Sequence, residues 1–269
     1  QHREHWGIHE SGYFTYLAGR YGSLESWPNF REFVEIFTTS DYFTLTDLNK
    51  NFVLSLFPTS YSGFFKSVMD EFAREHSAPL WLEKSPTHTK KALWLAKKYP
   101  TARFVSIVRD VEDVVASALA KAGMNLQSKC KLIVASRVVC AWVYYNKTIS
   151  KLSREYPSRS MTVHFGEFCN DKECVLRRIT SFLGVDYQPD MVTKAYKHNT
   201  SFYGKQSRNK LLSKREKAFI KQLAGMLNTI PYEAYWTLDT LRNYIWRKES
   251  ELPNWFFRLS DQKLNTGRK

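Results

Sequence analysis

No apolar run in this chain approaches the ~20 residues needed to cross a bilayer, and the central run FVSIV at 104–108 is short. Cysteine is scarce, with Cys130, Cys140, Cys169 and Cys174 the only four in 269 residues. Their spacing matches no zinc pattern and they are too few for a disulfide scaffold, so free thiols are expected. The 11 glycines and 9 prolines gather into no linker or low-complexity tract, and no internal repeat is visible. Acid is the minority charge, 26 Asp and Glu against 40 Lys and Arg. The resulting charge of +14 favours anionic partners such as nucleotides, nucleic acid, acidic lipids or acidic glycans, although a solvated basic surface has the same excess. What is present is a globular composition, 43% hydrophobic and 15% aromatic, in a chain long enough for one large α/β domain or two small ones.

Along the chain, residues 13–78 carry aromatic residues at helical spacing, as in PNFREFVEIF and SGFFKSVMDEFAREH. PLWLEK then fits a buried strand. Ser85 offers an N-cap and Pro86 a first helical position for a helix through THTKKALWLAKKY, which Pro100 stops. ARFVSIV reads as a second strand ending at Arg109. Asp110 can cap the helix VEDVVASALAKAG, and Gly123 can end it. Strand, helix, strand, helix with short connections predicts a parallel sheet with right-handed crossovers. A long helix over roughly 128–155, a third strand SMTVHF, a helix KECVLRRITSFLGV and a loop-then-helix over 205–227 follow. The aromatic tail 232–258 is expected to add a helix and a strap. One α/β domain with a helical insertion is the simplest account. The opening QHREHW reads like the tail of a helix, and the chain starts at Gln1. An N-terminal piece, with any signal or anchor, is therefore expected to precede it.

In an open parallel sheet, ligands bind beyond the carboxyl ends of the strands. Lys84 and Arg109 both lie at such ends, which makes them neighbours on adjacent strands. Arg109 offers a planar fork to a phosphate, and the helix starting near Asp110 adds free N–H groups. Ser117 lies about two turns into that helix. An ion pair with Asp110 or Asp113 is the competing role for Arg109, and close helix packing is that for Ser117. Trp81, Trp94 and Trp142 sit in apolar surroundings and read as core.

These residues resemble the sulfotransferases that use 3′-phosphoadenosine-5′-phosphosulfate (PAPS). ARFVSIVRDVEDVVAS is similar to that family's 3′-phosphate motif, an Arg followed eight residues later by a Ser, and Arg109 and Ser117 fall on those positions. WLEKSPTH resembles the EK(S/T)P segment of the branch that includes bacterial and Golgi enzymes. VHFGEFCNDKECVLRRITSFLGV resembles that branch's VRYEDLCADPEATLRRICAFLGL pattern, and IHESGYF its segment after the first helix. The resemblance covers most of residues 5–225. It implies a P-loop-type three-layer α/β domain with a central parallel sheet, a helical insertion at 13–78, a nucleotide-binding core at 80–225 and a C-terminal helical extension at 232–269.

The departures are specific. The phosphosulfate loop of the form RSGTT is absent, and the resemblance places it upstream of Gln1. FPTSYSGFF at 57–65 has no basic residue and reads as core. Without the loop, this chain is expected to bind the 5′ end of the donor poorly and to be inactive, with the complete protein active. Phe165 stands where the pattern has Tyr, and Gly166 where it has an acid; Phe165 can still press on a base or pack beneath the site. HNTSFYGKQSR resembles the GNxxR-type segment that closes over the nucleotide, with Lys205 in place of Asn and Arg208 following. Both are candidate phosphate contacts, and a generic basic loop is the other account of them.

The resemblance implies transfer of a sulfuryl group from PAPS to a hydroxyl or amine, with no metal required. In-line attack builds negative charge on the leaving phosphate, and a base must take the acceptor proton. Glu10 is the first candidate base and its neighbour His9 the rival; in an extended backbone the two point differently. Lys84 would neutralise charge on the bridging or leaving oxygens. His88, just beyond it, is a candidate for contacting the acceptor or capping the helix. A kinase-like P-loop enzyme would need a Walker loop and a magnesium carboxylate, neither visible. A non-enzymatic polyanion binder would explain +14 but not a basic residue at each of two strand ends. The acceptor, whether carbohydrate, peptide or small molecule, cannot be read from these residues. A nucleic acid partner is not expected, and a membrane enters only through a lost anchor. The compartment would be cytoplasmic in a bacterium and the Golgi lumen in a eukaryote.

Overall fold

The computed structural model describes residues 5–8, 10–44, 46–121, 128–193 and 212–235. A first strand, β1 (His5–Ile8), leads into α1 (Tyr13–Tyr16), α2 (Trp27–Thr38), α3 (Asp41–Thr44), α4 (Lys50–Ser55) and α5 (Tyr61–Glu75) before β2 (Leu80–Glu83). A 3-10 segment, Pro86–Lys91, runs into α6 (Ala92–Lys98), then β3 (Phe104–Val108), α7 (Val111–Lys121) and the long α8 (Ser128–Glu155). β4 (Ser160–His164), α9 (Phe165–Asn170), α10 (Lys172–Leu183), α11 (Asp190–Thr193) and α12 (Lys214–Asn228) complete the described elements.

The helices form where apolar spacing and caps coincide. α2 buries Phe30, Phe33, Val34 and Phe37, a stripe at intervals of three and four. α5 starts where the Ser60 hydroxyl accepts from the Gly63 N–H at 3.1 Å, and buries Phe64, Phe65, Val68, Met69, Phe72 and Ala73. FPTSYSGFF is thus the entry to a core helix, as its lack of basic residues predicts. In α12 a reciprocal capping box holds the first turn, Ser213 Oγ accepting from Glu216 N–H and Glu216 Oε2 from Ser213 N–H. Gly184 ends α10 at φ 71, the left-handed backbone that a β-carbon disfavours.

Three apolar clusters hold these elements. The largest is aromatic and joins Tyr13 and Phe14 of α1 to α2 and α5, with Trp81 of β2 and Phe104 of β3 packed against it. A second joins Val111, Val115 and Leu119 of α7 to Val139 and Val143 of α8 and Ile220 of α12. A small third cluster, Ala92, Ala96 and Leu152, pins α6 to α8. Ion pairs Glu112–Lys221 and Lys131–Glu216, each 2.7 Å, flank the second cluster.

The strands form two parallel ladders. β1 pairs with β2 in the register His5↔Leu80 to Ile8↔Glu83, and β3 pairs with β4 from Phe104↔Ser160 to Val108↔His164. Parallel pairing across helical connections is the pattern expected from the sequence.

Four sequence expectations change. The opening is a strand at 5–8, not the end of a helix; four residues form a strand only because β2 lies alongside to share their hydrogen bonds. The helix expected from Pro86 begins as a 3-10 segment and becomes α-helical at Ala92. Ser85 makes no side-chain cap there, because its hydroxyl is used elsewhere. Among the described residues no ladder joins β2 to β3, so Lys84 and Arg109 end separate ladders. The expected stop at Gly123 and the strap after 235 lie outside the described residues. Among the described residues, no helix is long and apolar enough to cross a membrane.

Candidate active site

Each ladder ends in a cluster of the residues singled out above. At the carboxyl end of β1–β2, Lys84 Nζ donates to Glu10 Oε1 at 2.5 Å. Both side chains remain more than half exposed, 59% and 56%, so this is a solvent-facing cation and carboxylate. An exposed pair of this kind adds little stability. It does leave an ammonium with three donors and a carboxylate acceptor open to an incoming molecule. His9 lies outside the described residues.

Behind that pair is a buried cluster. Glu83, the last residue of β2, points away from Lys84 because successive strand residues alternate sides. Its Oε1 accepts from Ser11 Oγ at 2.7 Å and from Ser85 Oγ at 2.6 Å. Its Oε2 lies 2.9 Å from Nδ1 of the buried His88. His88 Nε2 accepts the Phe14 N–H at 3.1 Å, so the ring's proton sits on Nδ1 and is donated to Glu83. Burial acts to raise the Glu83 carboxyl, but the hydrogen bond and electrostatic attraction of His88, with the hydrogen bonds from Ser85 and Ser11, outweigh it and hold the group below its ordinary range. Sequence reasoning gave His88 a capping or acceptor-contacting role; the structure buries it as a link between β2 and α1. Glu83, Ser85 and Ser11 were not singled out as a group. The one signal was that Glu83 and Ser85, two apart, share a side of an extended segment.

At the carboxyl end of β3–β4, Arg109 directly follows β3 and Phe165 directly follows β4. The Arg109 guanidinium lies over the Phe165 ring, 5.0 Å from its centroid. Nε and an Nη of Arg109 reach Asp113 Oδ2 at 3.2 and 3.1 Å, the ion pair anticipated as the competing role. Arg109 lies two residues before α7, Asp113 is in its first turn, and Ser117, partly buried, is one further turn along the helix. Trp142 of α8 donates its indole N–H to the Arg109 carbonyl at 2.8 Å, which ties the strand end to the second cluster. Trp81 and Trp142 pack as expected of core residues. Trp94 does not: it is 39% exposed, with Lys98 Nζ 5.9 Å from its ring centroid. Lys205 and Arg208 lie outside the described residues. Cys140, Cys169 and Cys174 are free thiols, and no metal-binding group of His, Cys, Asp and Glu occurs among the described residues.

The arrangement offers two basic groups, each beyond a parallel strand end, one beside an exposed carboxylate and the other on an aromatic ring. The profile of the sulfotransferase family matches residues 31–189, more than half of the 269. The chain belongs to the sulfotransferase family. Membership supports a transferase, with sulfuryl transfer as the family's reaction. The matched span of this sulfotransferase includes Lys84, Arg109, Ser117 and Phe165 and leaves Glu10 outside. No curated protein sequence matches it. A solved structure, the sulfotransferase domain from the curacin biosynthetic pathway, is similar over 77% of each chain at 16% identity, with a TM-score of 0.42. Likeness at that level says nothing about which residues act.

Proposed function

We propose that this sulfotransferase takes its sulfuryl group from PAPS and passes it to a hydroxyl or amine, with Arg109 and Ser117 on the donor's 3′-phosphate. The observation that carries the reading is the placing of both basic clusters just beyond the carboxyl ends of parallel strand pairs. The donor set suits an adenosine phosphate. Arg109 has a planar fork over the Phe165 ring, and Ser117 follows Asp113, the partner of Arg109, by four positions on α7. A dianionic phosphate would take over donors that Asp113 now holds. In this reading the chain is of the EKSP-type branch on a P-loop-type three-layer fold. A phosphosulfate loop, which the present sequence does not spell, completes the donor site.

Chemistry is assigned to the first ladder. The Lys84 ammonium offsets charge building on the leaving oxygens, and the Glu10 carboxylate takes the acceptor's proton as its oxygen or nitrogen attacks. Glu83 is unsuited to that role, since its oxygens already accept from Ser11, Ser85 and His88. Glu10 has its carboxylate in solvent and its partner is the other reacting group.

Calorimetric titration with adenosine 3′,5′-bisphosphate and with 5′-AMP tests the donor site. The bisphosphate is expected to bind more tightly. Arg109→Ala is expected to weaken it about tenfold or more, the scale of a lost charge-assisted hydrogen bond, while 5′-AMP hardly changes. Equal affinity for the two ligands in the parent protein would overturn the assignment.

A further inference from the structure

Gly12 stands at φ 55 ahead of α1, and a β-carbon there would lie 2.5 Å from the Tyr16 ring. The turn this permits aims three successive N–H groups, of Gly12, Tyr13 and Phe14, at the end of β2. None has an intrahelical acceptor, because all belong to the start of a helix. Each finds a side chain instead: Gly12 N–H donates to Ser85 Oγ at 2.9 Å, Tyr13 N–H to Ser11 Oγ at 3.2 Å and Phe14 N–H to His88 Nε2 at 3.1 Å. Each of those side chains in turn donates a hydrogen bond to one carboxylate, Glu83. Three amides, three relays and one acceptor make a closed set in which every hydrogen bond has a fixed direction.

Serine, histidine and glutamate together suggest a nucleophile triad, but the directions exclude one. A nucleophilic serine gives its proton to the histidine. Here both serines give theirs to Glu83, and the histidine's acceptor nitrogen is occupied by Phe14 N–H. The cluster is a clamp. It binds residues 11–14 to the strand that carries Lys84, and Glu10 is the residue immediately before the clamped segment.

We propose that Glu83 is a positioning residue for sulfuryl transfer: through Ser11, Ser85 and His88 it fixes the start of α1 and so holds Glu10 opposite Lys84. This rests on the reading of Glu10 and Lys84 as the reacting pair. The aromatic cluster anchors Tyr13 and Phe14 from behind and sets the depth of α1. The clamp sets its register along β2, which apolar packing alone does not specify.

The test reads Lys84 directly. Lysines carrying 13C-methyl groups are followed by NMR, with the Lys84 signal assigned through Lys84→Arg and its unpaired position taken from Glu10→Gln. In Glu83→Gln and His88→Ala, the Lys84 signal is expected to move at least half-way to that unpaired position. Amide exchange at Phe14 is expected to quicken roughly tenfold or more, as for a buried amide losing its acceptor. His88→Gln, which keeps a carbonyl for Phe14 N–H and an amide N–H for Glu83, is expected to restore most of both. The Lys50 signal, paired with Glu35 on the far helices, should stay in place. A Lys84 signal that does not move while the Phe14 amide opens would overturn the proposal and leave the cluster a helix cap. Should Glu83→Gln unfold the protein, Ser11→Ala removes one arm, and the same two readouts decide. No nucleotide is present, so failure here leaves the donor assignment standing, and failure of bisphosphate binding leaves this geometry standing.

Discussion

Lys84 and Glu10, 74 positions apart in the chain, meet through Nζ and Oε1 at 2.5 Å. Because both are exposed, their meeting contributes little to folding and costs little to remove. Its consequence is geometric: an exposed carboxylate and an exposed ammonium share one surface.

Glu10→Gln and Lys84→Met are therefore expected to separate activity from stability. In a protein that carries the phosphosulfate loop, each should lower turnover of PAPS with a productive acceptor about 100-fold or more, the usual contribution of a positioned base or charge. Thermal midpoints should change by no more than about 2 °C. The release of adenosine 3′,5′-bisphosphate measures the first and calorimetry the second. A midpoint loss as large as that of a core variant would count against the assignment.

Phe165 is expected to matter through Arg109. Phe165→Ala removes the ring beneath the guanidinium and should weaken adenosine 3′,5′-bisphosphate roughly 2- to 30-fold, the range of a cation–π contact. Phe165→Tyr should retain parental affinity. Isothermal titration distinguishes the two.

The Glu83 carboxyl predicts an acid limb in stability. Its folded value lies below the ordinary one, because the hydrogen bond and electrostatic attraction of His88, with hydrogen bonds from Ser85 and Ser11, outweigh burial. A group shifted in that direction contributes stability above its unfolded value, about 4.3 for Glu, and loses it as pH falls towards the lower folded value. Thermal midpoints measured from pH 6 to pH 3 should fall more steeply in the parent protein than in Glu83→Gln, with the two curves converging at the acid end. Parallel curves would remove Glu83 as the cause.

Phe64 sits fully buried between Phe33, Phe37 and Tyr13, with ring centroids 4.8, 5.0 and 6.4 Å away. Phe64→Ala should cost about 3–5 kcal/mol in denaturant unfolding, the loss expected for a large core aromatic. The pair at Lys84 and Glu10 should lose its geometry with it, because Tyr13 packs on the same ring.

Much of this architecture can be read from local pattern. The stripes of α2 and α5, the 128–155 span of α8 and strands β2, β3 and β4 follow from spacing, caps and breakers, which act within a few residues. Lys84, Arg109 and Phe165 could be placed at strand ends for the same reason. Other features depend on the folded chain. β1 is too short to show a period and exists through its ladder with β2. His88 carries no local sign of burial, and Ser85 looks like a cap until Gly12, 73 positions away, claims its hydroxyl. That the Glu83 carboxylate is taken up by Ser11, Ser85 and His88 was not legible locally, because Ser11 reaches it only once α1 packs against β2. Hydrogen bonds and ion pairs between distant segments depend on where tertiary packing puts the backbone, and no local preference encodes that distance.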